Sequence, residues 1–187
     1  MSAVTDYAAA VRALAAGLAE AAARPADRVR QLAALAAAVP LPEAATGVLS
    51  GPLAAARSGA GELCRRAALV ALARAVTAYQ AESYEEGAAV RDMVCGLLQD
   101  EELRAADAGQ DGPHAAFRDL RVAVAVDLTR RIADLAHLQT VEAGAALPAL
   151  AVAHRLYGDP ERGDELANYA TAPNPLFLPT RFTARDR

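Results

Sequence analysis

The residues of this chain with chemistry beyond packing are three histidines, two cysteines and a few short runs of charge. His114, His137 and His154 have no acid or second histidine at metal-ligand spacing on a helix. Asp134 and His137 are three residues apart, the pattern of a surface contact. Cys64 and Cys95 lack a CxxC or CxxH neighbour, so neither zinc nor any other metal is expected, and their default state is the reduced thiol. Ser58-Gly-Ala-Gly61 lacks the first glycine of a nucleophile elbow. No lysine follows the Gly59/Gly61 pair, so it is not a phosphate-cradling loop. Glu85-Glu86 and Asp100-Glu101-Glu102 are the carboxylate clusters, and such runs read as solvated helix ends. Arg65-Arg66 and Arg130-Arg131 are the adjacent bases, without interleaved aromatics. A chain of net charge −4 with no basic footprint is not expected to bind nucleic acid directly. Nothing here forms a catalytic constellation, so the reading is not an enzyme, with no cofactor and no metal.

What remains is a contact chemistry near the C-terminus. Leu176, Phe177, Leu178 and Phe182 place large apolar side chains on a segment stiffened by Pro173, Pro175 and Pro179. Proline lowers the entropy lost when an extended segment docks, so such a segment can grip a groove. Tyr157 and Tyr169 lie just upstream, and aromatics dominate interface hot spots. These six residues are the candidate partner-binding set. The same segment could instead fold back over its own helices and complete a thin core, and the two readings are not exclusive.

The elements that must carry this segment are helices. About a quarter of the 187 residues are alanine, the strongest helix former. Eight aromatic residues and no tryptophan leave close helix approach through alanine to supply much of the packing. All nineteen basic residues are arginine, which together with the alanine content fits codon bias in a GC-rich genome. No apolar window is long and uncharged enough for a membrane span. The first residues carry Asp6 where a signal peptide carries bases, so the chain is expected to be made and kept in a cytoplasm unless something else carries it out.

Val4, Tyr7, Val11, Leu14 and Leu18 form one stripe of a first helix that Arg24-Pro25 ends. Val29, Leu32, Leu35 or Ala36, and Val39 repeat the stripe over residues 26–38, giving a helical hairpin. Pro40, Pro42 and Ser50-Gly-Pro52 break the next segment into short pieces, and Ser58-Gly-Ala-Gly61 is the expected internal boundary. Leu69, Leu72, Val76 and Tyr79 then share a face. Ser83 should cap a helix bearing Val90, Met93, Val94, Leu97 and Leu98. Phe117, Leu120, Val124, Leu128, Ile132 and Leu135 mark another helix. Leu120 to Leu128 also alternates like a strand, but the flanking helix formers and the lack of a second strand favour helix, with valines on several sides suggesting wide coverage. A short helix should stop at Gly158 and another restart at Asp159-Pro160. The expectation is an all-α bundle of about six to eight helices with an extended proline-containing arm. Its parts are an N-terminal helical hairpin region (1–57), a main bundle (58–171) and the arm (172–187).

Leu147-Pro-Ala-Leu150, Ala153-His-Arg-Leu-Tyr-Gly-Asp159, Asp164-Glu-Leu166, Asn168 and Asn174-Pro-Leu-Phe-Leu-Pro179 resemble the C-terminal end of the Mu-type phage DNA circulation proteins. Arg91-Asp92, Gln99-Asp-Glu-Glu102, Phe117-Arg-Asp-Leu-Arg121 and Asp127-Leu128 extend the resemblance over about residues 62–180. That family is encoded among the tail and baseplate genes of contractile-tailed phages. Its long N-terminal domain has only a helical hairpin in its place here. Where the family reads Arg-Asn-x-x-x-His-Pro, this chain has Asn168-Tyr-Ala-Thr-Ala-Pro-Asn-Pro. The resemblance implies a structural component of a phage or phage-like tail, at the baseplate or hub of the virion. Its partners would be other tail or baseplate proteins, with several copies around the tail axis. The alternative is a tail-assembly chaperone or adaptor that binds an amphipathic partner helix and is absent from the mature particle.

Overall fold

The computed structural model describes residues 3–38 and 50–186. Helix makes up 72% of it, in seven helices beside a small two-stranded sheet among the described residues, so the fold is an all-α bundle. In chain order the elements are α1 (Ala3–Ala21), α2 (Pro25–Ala37), α3 (Ser50–Thr77), α4 (Tyr84–Asp107), α5 (Asp111–Ile132), β1 (Leu138–Glu142), α6 (Ala149–Tyr157), α7 (Gly163–Tyr169) and β2 (Arg181–Arg185). A 3-10 turn, Pro160–Arg162, precedes α7. The chain divides into two compact units, Met1–Gln80 with Val90–Leu128, and Ala81–Ala89 with Thr129–Arg187. The boundary expected at residue 58 falls inside α3, which runs unbroken through Gly59 and Gly61 with Pro52 accommodated in its first turn.

In the first unit α1, α2 and α3 approach one another closely. The buried face of α1 is Val11 and Ala15, while Leu14, expected in the stripe, is 66% exposed. Alanine wins this face because its methyl lets two backbones approach in a way leucine would block. Tyr7 is also largely exposed, and its phenol is pushed up by a hydrogen bond with the Cys64 thiol. On α2 the buried set is Val29, Leu32, Ala33 and Ala36, while Val39, Pro40 and Pro42 lie outside the described residues. Leu69, Leu72, Val76 and Tyr79 are buried together from α3 and its end, as their spacing requires.

The sequence reading of Asp100-Glu101-Glu102 as a solvated end is half overturned: Asp100 is exposed, but Glu101 is fully buried and Glu102 nearly so. Arg65 Nε and Arg66 Nε each reach a separate Glu101 oxygen at 2.6 Å. Arg66 Nη2 also meets Glu62 at 2.7 Å and Gln110 Oε1 at 2.6 Å. Arg121 Nε donates to Glu102 at 3.0 Å. A buried carboxylate needs such donors, because removing it from water costs several kcal/mol unless it is paired. Gln110 is held in place by the end of α4: Gly109 is left-handed at φ 66° and Gln110 N donates to Ala105 O. On α5, Phe117, Val124 and Leu128 are buried, but Val122 and Val126 are exposed, so the wide coverage expected of this helix is not observed.

In the second unit Ser83 caps α4 as expected, its Oγ accepting from Glu86 N at 3.2 Å while Glu86 Oε2 accepts from Glu82 N. Glu85 accepts from Leu138 N at 2.8 Å and contacts His137 Nδ1 at 3.0 Å, so His137 pairs with Glu85 and tethers the start of β1. β1 and β2 pair antiparallel, with Val141 opposite Phe182 and Thr140 opposite Thr183. Asp186 N to His137 O and Ala143 N to Thr180 O extend the ladder past both strand ends.

Candidate interaction site

The residues proposed for contact all lie in the second unit, on α6, α7 and the segment after them. α6 has Pro148 at its cap and stops at Gly158, whose φ of 74° is left-handed and costs glycine nothing. Asp159 Oδ1 accepts from Glu161 N and starts the 3-10 turn that leads into α7. α7 ends with Thr171 at φ 51° and with Ala172 N donating to Ala167 O. A β-branched residue in the left-handed region is strained, and glycine is the usual occupant.

These turns bring Val152, Ala153, Leu166, Leu178, Phe182 and Ala184 into one buried cluster. Two backbone bonds hold the last segment down: Ala149 N donates to Pro175 O at 2.7 Å, and Leu178 N donates to Leu147 O at 3.0 Å. Between them the chain makes a tight turn, with Phe177 N donating to Asn174 O and Leu176 N to Asn174 Oδ1, both at 3.0 Å. The arm expected to be extended throughout is therefore a pinned turn followed by a strand.

The six candidate residues divide accordingly. Leu178 and Phe182 are 1% and 5% exposed and fill the protein's own core, so they are not available as contacts. Leu176 and Phe177 are 58% and 64% exposed at the tip of the pinned turn. Leu150, which the sequence marks within Leu147-Pro-Ala-Leu150 but not as a contact, is also exposed, one residue from the Ala149–Pro175 bond. Its helical neighbours gave no signal, since apolar residues surround it in sequence.

Tyr157 and Tyr169 are half-buried. The Arg162 guanidinium lies over the Tyr157 ring, 3.7 Å from its centroid, and Arg162 Nε donates to Glu165 at 2.9 Å. Arg185 Nη1 reaches the same carboxylate at 3.2 Å. The Arg162 and then the Arg185 bonds hold Glu165 below the usual carboxylate range against an opposing effect of burial. Burial pushes the Tyr157 phenol up, against the opposing pull of the Arg162 guanidinium. Burial likewise raises Tyr169, which lines an open recess of about 410 Å³ with Glu82, Glu165, Asn168 and Arg185. The described lining of the recess holds two carboxylates, one guanidinium and the Tyr169 phenol.

Among the described residues no group of three or more His, Cys, Asp or Glu side chains is placed to hold a metal ion, and no helix is long and apolar enough to cross a membrane. Comparison with protein-family models and with curated protein sequences returns no match for this chain.

Proposed function

We propose that this chain is a structural component of a phage or phage-like tail that works through protein–protein contacts. The observation that carries the contact role is the apolar pair Leu176-Phe177, held outward by backbone bonds on both sides of its turn. Pinning matters because a contact residue already ordered loses little entropy on binding. Two exposed large side chains side by side on a fixed tip fit the pattern of an interface anchor. Leu150 adds apolar surface on the neighbouring helix. The tail assignment, the baseplate or hub position and the neighbours rest on the sequence resemblance over residues 62–180. Repeated copies around a tail axis would use a heterologous contact, which closes into a ring when its rotation permits.

The test is quantitative mass spectrometry of purified particles from the source organism, with the wild-type chain and a Leu176→Ser/Phe177→Ser variant. A few wild-type copies per tail and loss of the variant from particles are the expected results. Absence of the wild-type chain from particles, with abundance in the lysate, would replace this reading with an assembly chaperone or adaptor. Normal incorporation of the variant would remove the Leu176-Phe177 tip from the contact.

A further inference from the structure

A second surface, in the first unit, has features the tail reading does not use. α1 and α3 enclose an open trough of about 500 Å³. Its floor is apolar: Ala15, Ala16 and Ala19 on one side, and Leu63, Ala67, Val70 and Ala71 on the other. Val70 remains 40% exposed inside it. The α3 wall runs from Leu63 to Ala75 with lining residues every three or four positions, and Ala78 follows just past the helix end. At about 1.5 Å per residue that wall is roughly 18 Å long, a little over three helical turns. A lengthwise seam with this spacing accepts the apolar face of another helix lying along it.

The rim decides which helix. Arg12, Arg28, Arg66 and Arg74 border the trough against a single carboxylate, Glu20. Arg66 is committed to Glu62 and Glu101. Arg12 Nε and Arg28 Nε each donate to a backbone carbonyl, of Ala8 and Ala22, and no carboxylate pairs with Arg12, Arg28 or Arg74 among the described residues. Three guanidiniums thus rim an apolar trough in a chain whose net charge is −4. We infer that this trough receives an amphipathic helix of another protein, with small or medium apolar residues on its buried face and carboxylates along its flanks. Neither the tail assignment nor the C-terminal tip enters into it.

The test uses the full chain and two designed helical peptides of about 21 residues, with the same alanine–leucine face but glutamate or lysine flanks. Fluorescence anisotropy should show saturable binding of the glutamate-flanked peptide, weakening as salt rises, and little binding of the lysine-flanked one. Arg12→Glu/Arg74→Glu changes two exposed positions and should weaken the first peptide about tenfold or more while recruiting the second. Ala16→Trp, also at an exposed position, should block both without loss of helicity. No saturable binding, equal binding of the two peptides, or binding untouched by Ala16→Trp would overturn the inference. Concentration-dependent self-association abolished by Ala16→Trp would overturn it in favour of a second copy of this chain as occupant.

Discussion

In the first unit the fully buried side chains where α3 faces α4 include a carboxylate, Glu101, tied to Arg65 and Arg66. In the second unit the buried polar side chain is the α4 cap Ser83, and the cluster beneath the pinned turn is apolar, with Leu166, Leu178 and Phe182. An alanine-rich helix pair can approach closely, as α1 and α3 do, but where the backbones stand further apart something long must span the gap. Arginine reaches where alanine does not. In the second unit Leu166, Leu178 and Phe182 share one cluster, and among the described residues none of its carboxylates is buried. The first unit therefore adds a matched buried charge to the apolar core of Leu32, Leu69, Leu72 and Leu98, and the second packs its cluster without one.

The largest expected effect tests the first half of that comparison. Glu101→Ala leaves Arg65 and Arg66 facing each other without their shared acceptor, which should cost about 3–5 kcal/mol. Urea unfolding followed by circular dichroism would register this as a large fall in midpoint. Replacing all three by Arg65→Met, Arg66→Met and Glu101→Leu should recover most of the loss, because desolvation then disappears along with the pairing. A Glu101→Ala variant within about 1 kcal/mol of wild type would show the charges to be incidental.

Phe182→Ala tests the second half. It opens a cavity beneath β2 and should cost about 3 kcal/mol, while Leu176→Ser/Phe177→Ser at the exposed tip should stay within about 0.5 kcal/mol. Equal losses from both would erase the division between core and contact surface within the segment.

That division also marks where the sequence stops being legible. The helices are readable because their signals are local: Leu69, Leu72, Val76 and Tyr79 recur every three or four residues, and Ser83 stands three before Glu86. The sheet is not, since β1 is five residues long and Val141 finds Phe182 far downstream. For the same reason Glu101 reads as a solvated end, its partners Arg65 and Arg66 lying 36 and 35 residues upstream. The candidate contact residues share one unit, but composition and spacing treat them alike. Sorting Leu178 and Phe182 from Leu176 and Phe177 depends on the Ala149–Pro175 and Leu178–Leu147 bonds, which no periodicity encodes.

A smaller effect sharpens the picture of how the second unit holds its turn. Thr171 occupies a left-handed position at φ 51° after α7 and is exposed. Thr171→Gly relieves that strain at some cost in unfolded-state entropy, and should raise stability by about 1 kcal/mol. A loss of stability would mean that the threonine side chain contributes a contact outweighing its backbone strain.

The smallest effect concerns a charged group that bridges three elements of the second unit. Glu165 binds Arg162 and Arg185, linking α7 to the 3-10 turn and to β2, and these bonds depress its carboxyl below the usual range. A depressed folded-state value means the contribution is fully present above the ordinary carboxylate range and is lost as pH falls through the folded value. Because the pair is partly exposed, its worth is about 1 kcal/mol or less. Wild type should therefore exceed Glu165→Gln by a constant margin from about pH 7 down to about pH 5, and the margin should close on further acidification. Glu85 shifts in the same direction, since bonds from Leu138 N, its own N–H and His137 outweigh burial, so both variants retain that second acid-sensitive tether. Only the difference between wild type and Glu165→Gln isolates the bridge. A margin that widened on acidification would mean Glu165 is better bound when protonated, and the second unit would then share the first unit's dependence on a buried acid.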